Sequence, residues 1–109
     1  MAVENVNDEQ FKGELTENPR VVAKFYADWC GSCRLFAPKF RRLSDEETYA
    51  QVKFLDVNAE KNPEARKLVG VTNLPFFATF ENGKLVKGDY TAKEETVREM
   101  IEELLKPAS

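Results

Sequence analysis

The two cysteines are the residues of this chain best suited to redox chemistry. They are the only cysteines among 109 residues, and they lie two residues apart in the run Trp29-Cys30-Gly31-Ser32-Cys33-Arg34. Residues 20–27, just before them, have the pattern of a strand, and a helical pattern follows from about Cys33. The free N–H groups at a helix start stabilise a thiolate on the first cysteine. The spacing therefore predicts a redox dithiol rather than a structural disulfide.

A zinc site and two incidental cysteines are the alternative interpretations of the pair. Structural zinc is almost always four-coordinate, whereas this motif supplies only two ligands. The chain has no histidine, so a second chain would have to complete a zinc site. Two incidental cysteines are a poor explanation, because a tryptophan flanks them and a proline follows at close range. We expect neither a bound metal nor a bound cofactor.

Composition narrows the class of protein further. The chain carries 16 basic and 19 acidic residues, a formal net charge of −3. The basic residues are scattered, which argues against a dedicated nucleic-acid binder. With 42% hydrophobic residues, the chain can bury a core of its own. A length of 109 residues predicts a single domain spanning residues 1–109.

The N-terminal ten residues are acidic and polar, so no signal peptide is visible. No apolar run approaches the roughly 20 residues that a membrane span needs. We therefore expect a cytoplasmic protein without a membrane partner. In a reducing cytosol, a two-cysteine motif is catalytic or metal-binding before it is structural. A mature secreted form whose signal has been removed is the alternative that the sequence leaves open.

Local signals place helices and strands around the motif. A first helix begins at Asn7, with Gln10 in capping-box position, and a last helix begins at Thr91, with Glu94 three residues on. Pro107 is expected to stop that last helix. A long helix over residues 33–48 contains Pro38, which is expected to kink it. The apolar side of that helix is assigned to Leu35, Phe36, Phe40 and Leu43.

The remaining elements complete an alternating pattern. Strands are predicted at residues 52–57, 76–80 and 84–86, and a short helix at residues 62–70. Asn82-Gly83 is a strong hairpin signal between the last two strands. Strand–helix–strand units imply parallel strands, and the hairpin adds antiparallel ones. The pattern predicts a mixed sheet between layers of helices.

At this point the chain closely resembles the thioredoxin family. The matching features are residues 25–31, Pro38 five residues after Cys33, Leu74-Pro75 before a strand, Phe80 with Asn82-Gly83, and the amphipathic terminal helix. They span nearly the full length. The resemblance implies an α/β thioredoxin fold, with a mixed four- or five-stranded sheet and helices on both faces. It also implies that Pro75 is cis and faces the dithiol.

The resemblance implies a thiol–disulfide oxidoreductase that reduces disulfides of substrate proteins. Cys30 would be the nucleophile and Cys33 the resolving cysteine. A thioredoxin reductase would then recycle the oxidised pair, and the protein is expected to be a monomer. The residues implied in substrate binding are Trp29, Gly31, Ser32, Leu74, Pro75 and, on weaker grounds, Gly88.

The chain departs from the usual family pattern in three respects, one of them an exchange between two positions. Ser32 stands where proline is normal, and Phe76 follows Pro75 where threonine is common. Lys24 stands where the family has a buried carboxylate, and Asp56 where it often has lysine. We hypothesise that residues 24 and 56 are neighbours on adjacent parallel strands and form a partly buried ion pair. In this hypothesis Asp56 takes over the proton relay; a purely structural exchange is the alternative.

Two other functions stay open on the sequence. Ser32 and the loss of the usual acid favour a disulfide oxidase or isomerase. Lys24 and an apparently short hairpin before Gly88 favour a protein-binding module with weak redox activity.

Overall fold

The computed structural model describes residues 3–106 of the chain. Its elements follow one another as β1 (Glu4–Asn5), α1 (Asp8–Glu17), β2 (Arg20–Tyr26), α2 (Gly31–Ser44), a short 3-10 helix (Glu47–Tyr49), β3 (Lys53–Asn58), α3 (Pro63–Val69), β4 (Phe76–Glu81), β5 (Lys84–Tyr90) and α4 (Glu94–Leu105). The strands form one sheet in the order β1-β3-β2-β4-β5. β1, β3 and β2 are parallel, whereas β4 and β5 run antiparallel to their neighbours. The predicted mixed sheet therefore has five strands.

The two faces of the sheet carry separate hydrophobic cores, because side chains alternate along each strand. On β2, Val21, Ala23 and Phe25 pack into a core with the buried residues of α1 and α3. Val22 points to the other face and packs with α2, the 3-10 helix and α4. Helices therefore cover both faces, as predicted.

Sheet topology brings three loops to the same end of the strands, the carboxyl end of β2 and β3. β2 and β3 are parallel, so the loops that follow them leave the sheet at the same end. β4 is antiparallel to β2 and therefore begins at that end, with Phe76 paired to Phe25. The cysteine motif, the turn after β3 and the Leu74-Pro75 turn thus lie side by side.

Several local predictions are confirmed. Asn7 and Gln10 form the capping box of α1. α3 begins after Asn62 and ends at Val69, with Gly70 as its C-cap residue at a left-handed φ of 78°. Asn82 and Gly83 form the hairpin turn with φ of 52° and 81°, the geometry for which asparagine and glycine are suited.

Other local predictions are wrong. α2 begins at Gly31 and ends at Ser44, so it starts two residues earlier and stops four residues sooner than predicted. Leu35 was assigned to the apolar side of α2, but it is 76% exposed. Thr91 does not cap α4: the N-cap residue is Lys93, and Thr91 Oγ1 instead accepts a hydrogen bond from Lys93 N. β5 runs four residues beyond its predicted end, to Tyr90.

Two further predictions concern prolines. Pro38 lies inside α2 as expected. Pro107, predicted to stop the last helix, lies outside the described residues; within them the helix ends at Leu105.

Candidate functional site

Cys30 and Cys33 form a disulfide across the first turn of α2, with their Cα atoms 5.3 Å apart. Cys30 is the N-cap residue of the helix, and its Sγ accepts a hydrogen bond from Cys33 N at 3.2 Å. Both side chains are nearly buried, at 5% exposed for Cys30 and 2% for Cys33. The same N–H group and the positive end of the helix would stabilise a thiolate on Cys30 after reduction.

Ser32 is exposed between the two cysteines. Its Oγ lies 3.6 Å from Cys30 Sγ, and either atom can be the donor. Gly31 is also exposed, and a Cβ placed on it would meet no heavy atom within 4 Å in the described part of the chain. The surface that Gly31 and Ser32 form between the two cysteines is therefore open to a substrate.

Trp29 presents a large apolar surface beside the motif. Its side chain is 66% exposed, and its indole Nε1 donates a hydrogen bond to Glu60 Oε2 at 2.6 Å. Arg34 Nη1 donates to the carbonyl oxygen of Asp28 at 2.6 Å. Sequence reasoning missed both Glu60 and Arg34. The available signal for Glu60 was its position two residues beyond a strand parallel to the one that precedes Trp29.

The Leu74-Pro75 peptide bond is cis, as predicted. Leu74 is half-buried and packs against the buried cluster of Ala27, Cys30 and Cys33, which places this turn beside the dithiol. Pro75 itself is buried, so Trp29 and Leu74 offer more accessible surface than Pro75 does. The carbonyl oxygen of Pro75 accepts a hydrogen bond from Thr91 N at 3.3 Å.

Gly88 lies on β5 but not directly opposite Phe76, the residue that follows Pro75. It pairs with Ala78, whereas Tyr90 pairs with Phe76, the neighbour of Pro75. A Cβ on Gly88 would come within 2.9 Å of Phe76 Cε1. Gly88 therefore makes room for the Phe76 ring, and its role in substrate binding stays a prediction.

Lys24 and Asp56 are register partners on β2 and β3. Lys24 Nζ lies 3.4 Å from Asp56 Oδ1, and their side chains are 3% and 23% exposed. The predicted partly buried ion pair is thus confirmed. Burial raises the pKa of Asp56 and lowers the pKa of Lys24, while the attraction between the two charges opposes both shifts. The Phe40 ring, 5.2 Å from Lys24 Nζ, adds a cation–π contact.

A cavity of about 280 Å³ connects the ion pair with the dithiol. Its lining residues are Lys24, Tyr26, Ala27, Asp28, Cys33, Arg34, Ala37 and Asp56. Both members of the pair and the inner cysteine therefore face one space, which is large enough to hold water.

Among residues 3–106, no group of three or more cysteine, aspartate or glutamate side chains is arranged to hold a metal ion. None of the helices within that range combines the length and apolar character that crossing a membrane requires.

Comparison with known proteins assigns the family. The thioredoxin family model matches residues 2–105. A thioredoxin of Rickettsia typhi is 36% identical over 83 residues, covering 75% of this chain and 78% of the relative. A thioredoxin of Bacillus subtilis is 29% identical over 102 residues, covering 93% and 96%.

Solved structures agree with the sequence match. The short form of thioredoxin f from spinach chloroplast superposes with a TM-score of 0.90 at 27% identity, covering 96% of this chain and 95% of that one. The five-stranded mixed sheet and its four α-helices are thus a thioredoxin fold. The chain belongs to the thioredoxin family, and it is a thiol–disulfide oxidoreductase with the Cys30–Cys33 disulfide as its redox-active pair.

Proposed function

We propose that the chain reduces protein disulfides with Cys30 as nucleophile and Cys33 as resolving cysteine. The Cys30 thiolate attacks one sulfur of the substrate disulfide, forming a mixed disulfide and releasing the other substrate sulfur as a thiolate. Cys33 then loses its proton and attacks Cys30 Sγ. This step forms the Cys30–Cys33 disulfide and releases the second substrate thiolate. Two electrons pass from the dithiol to the substrate.

The assignment of the two roles follows from the helix start. Cys30 is the N-cap residue and faces the free N–H groups of α2, including that of Cys33. A thiolate is therefore more stable on Cys30 than on Cys33, which lies further into the helix and is the less exposed of the two. The outer sulfur attacks, and the inner sulfur resolves.

Substrate would bind across Trp29, Gly31, Ser32 and Leu74. Trp29 and Leu74 supply apolar surface on two sides of the motif, and Gly31 leaves room for a close approach. The turn before β4 ends in Pro75 and can align an extended peptide by its backbone. Gly88 lies on β5 opposite Ala78, two residues along β4 from Phe76. It would therefore contact only a longer substrate segment.

Asp56, held by Lys24, would accept the proton of Cys33 through the shared cavity. Burial raises the pKa of Asp56, so its carboxylate is a stronger base than an exposed aspartate. The rate of mixed-disulfide resolution should therefore follow the titration of Asp56. An Asp56→Asn variant with an unchanged pH–rate profile would rule out the relay.

The cellular setting completes the proposal. The protein would act as a monomer in the cytoplasm and be reduced by a thioredoxin reductase. Its electrons would then serve cell redox homeostasis by keeping the cysteines of substrate proteins reduced.

A second candidate function rests on Ser32. Its hydroxyl lies close to Cys30 Sγ and can stabilise the thiolate, which favours the reduced form and makes the disulfide more oxidising. A sufficiently oxidising pair would form or rearrange disulfides rather than reduce them. The equilibrium reduction potential, titrated against a thiol buffer, separates the two functions.

The roles of the two cysteines can be tested directly. Reduction of a disulfide-bonded model protein, with dithiothreitol as the electron source, should be lost in Cys30→Ser. Cys33→Ser should instead accumulate a mixed disulfide on Cys30, visible as a mass increase equal to the substrate. If Cys33→Ser formed no adduct while Cys30→Ser did, the two roles would be reversed. If the chain were only a binding module, the parent protein would show no turnover. Its affinity for the partner would then be unchanged in Cys30→Ser.

A further inference from the structure

The exposed side of α2 carries positive charge along most of its length. This helix holds four of the 16 basic residues of the chain and none of its 19 acidic residues. The rest of the chain therefore has 12 basic and 19 acidic residues. The basic residues of α2, all of them exposed, are Arg34, Lys39, Arg41 and Arg42. A basic surface thus extends from the dithiol across a protein whose remaining net charge is acidic.

An apolar line runs down the middle of this surface. Gly31, Leu35 and Pro38 are spaced four and three residues apart, so they lie one above another on the helix. All three are exposed, and the Leu35 side chain, at 76% exposed, lies almost entirely in solvent. The basic surface and this line are together called the α2 face, which runs from Gly31 to Arg42.

Three cations flank the apolar line without a carboxylate partner. With 3.6 residues per turn, Arg34 and Arg41 lie on one side of the line and Lys39 lies on the other. In the described part of the chain, no carboxylate oxygen lies within 4.0 Å of their charged groups. Lys39 Nζ is 6.0 Å from the centre of the Phe36 ring, and Arg34 donates to the carbonyl oxygen of Asp28. Neither contact neutralises a full charge.

Helix stability accounts for only part of this pattern. The negative end of the helix dipole stabilises cations in the last turn, which is a sufficient reason for Arg41 and Arg42. Arg42 also pairs with Glu94 of α4 at 3.4 Å. Arg34 lies in the first turn, where the dipole disfavours a positive charge, and Lys39 lies in the middle, where the dipole has little effect. The positions of Arg34 and Lys39 therefore favour a partner outside the chain.

We infer that the α2 face binds an acidic segment of the substrate protein beside the disulfide that is to be reduced. The inference rests on the proposed function, because the face begins between the two cysteines, where a substrate disulfide would lie. From Gly31 to Arg42 the face is about 16 Å long at about 1.5 Å per residue. That is the length of about five residues of extended chain at about 3.3 Å each. Carboxylates around one apolar side chain would complement the cations around Leu35.

Nucleic acid is the other polyanion that a basic surface can bind. Its protein interfaces are strongly positive and polar, whereas an exposed leucine lies at the centre of the α2 face and the whole chain has a net charge of −3. The face also begins at a dithiol, whose reaction partner is a disulfide. A protein segment therefore fits the α2 face better than nucleic acid does.

Three peptides with the same internal disulfide serve as probes. They differ only in about five residues on each side of the disulfide ring, where a leucine is surrounded by aspartate and glutamate, by serine and glutamine, or by lysine. Each peptide is mixed with the reduced protein, and loss of the peptide disulfide is followed by acid quenching and chromatography. The readout is the ratio of the second-order rate constants for the acidic and the neutral peptide. A change in the chemistry of the dithiol alters both rate constants alike and leaves this ratio unchanged.

Charge reversals on the two sides of the face provide the variants: Lys39→Glu, Arg41→Glu and the double variant. The charge of Arg41 also acts on the pKa of Asp56, after the larger effects of burial and of Lys24, so Arg41→Glu can change the chemistry as well. The ratio removes that contribution. Lys67→Glu is the matched control, because it reverses an exposed lysine of α3, on the opposite side of the sheet.

At an ionic strength of about 0.01 M, the parent should reduce the acidic peptide about five- to thirtyfold faster than the neutral one, and the basic peptide more slowly still. The ratio should fall towards one at about 1 M, where charges are screened beyond about 3 Å. The double variant should bring the ratio to one or below, whereas Lys67→Glu should stay within about twofold of the parent. Leu35→Ser should slow reduction of the acidic peptide by about two- to fivefold, but not reduction of a version with serine in place of leucine.

The outcomes separate the inference from the function on which it depends. If the parent reduced neither the peptides nor a disulfide-bonded model protein, the proposed function itself would be wrong. If it reduced the model protein but did not prefer the acidic peptide, or if the double variant kept the preference, the function would stand and the inference would fail. An equal loss of preference in Lys67→Glu would assign the effect to net charge and would also overturn it. So would a labelled oligonucleotide that bound the parent but not the double variant while the peptide ratio stayed at one, because the face would then bind nucleic acid.

Discussion

Removing the carboxylate of Asp56 should destabilise the fold strongly and in a pH-dependent way. Lys24 Nζ would lose its partner while its side chain stays 3% exposed. Breaking a buried ion pair by removing one partner typically costs about 3–5 kcal/mol. The partial exposure of Asp56, 23%, places the expected loss for Asp56→Ala toward the lower end of that range.

An independent limit comes from the titration of Lys24. The buried ammonium can escape the cost of an unpaired charge by releasing its proton. From the usual lysine pKa of 10.5, deprotonation at pH 7 costs about 4.8 kcal/mol, because each pH unit corresponds to about 1.36 kcal/mol. The penalty for an unpaired Lys24 charge at pH 7 therefore cannot exceed about 4.8 kcal/mol, because deprotonation is available at that cost. For a small domain with a total stability of about 5–15 kcal/mol, that is a large fraction.

The direction of the pH dependence follows from linkage. In Asp56→Ala, the folded pKa of Lys24 should fall further below its usual value, since only the opposing attraction is removed. The unfolded chain then binds more protons than the folded one, so the stability of the variant rises with pH. The difference from the parent should therefore shrink as the pH rises towards the ordinary lysine pKa of 10.5, by at most about 1.4 kcal/mol per pH unit.

Urea unfolding of the oxidised proteins at several pH values measures this effect. Asp28→Ala is the matched control: it removes an exposed carboxylate that lines the same cavity and should cost less than about 1 kcal/mol. The reasoning would be refuted if Asp56→Ala lost no more than Asp28→Ala, or if its loss were the same at pH 7 and pH 9. Either result would mean that the Lys24 ammonium reaches water once Asp56 is removed.

Three further predictions concern the departures from the family pattern and the hairpin. Ser32→Pro should lower the reduction potential by about 30 mV, because a hydrogen bond of about 1.5 kcal/mol to the thiolate corresponds to that shift; an equal or higher potential in the variant would contradict the proposed role of Ser32. The exchange Lys24→Asp with Asp56→Lys should move the pH–rate profile of mixed-disulfide resolution to higher pH, since the acid would then occupy the more buried of the two positions; a profile at unchanged pH would argue against a carboxylate relay. Gly88→Ala should cost about 1–3 kcal/mol in urea unfolding, because its Cβ would lie 2.9 Å from the Phe76 ring, and Phe76→Leu should recover most of that loss.

Much of the fold was predictable because local signals and strand periodicity agree. The hairpin turn at Asn82-Gly83 and the start of α3 at Pro63 depend on backbone preferences of single residues, and both were predicted correctly. Other features are decided by contacts between distant segments. Leu35 belongs to an apolar run but lies on the outer face of α2, and β1 has only two residues, too few for any periodic pattern.

The candidate site divides in the same way. The dithiol could be predicted from spacing alone. That residues 24 and 56 lie next to each other could be predicted from the register of parallel strands. Glu60 could not be assigned a partner, because its contact with Trp29 spans 31 residues and depends on how two loops meet at the edge of the sheet. Gly88 pairs with Ala78 in the hairpin register, and its part in substrate binding stays a prediction.

The exchange of Lys24 and Asp56 has a physical consequence beyond preserving a pair. Position 24 lies on the central strand of the sheet and is almost completely buried, whereas position 56 lies on β3 and keeps nearly a quarter of its side chain accessible. A lysine tolerates the inner position because its long apolar stem can be buried and its ammonium lies over the Phe40 ring. The carboxylate at the outer position pays a smaller desolvation cost, yet it still lines the cavity that reaches Cys33. The arrangement therefore keeps a carboxylate behind the dithiol, at the more exposed of the two positions.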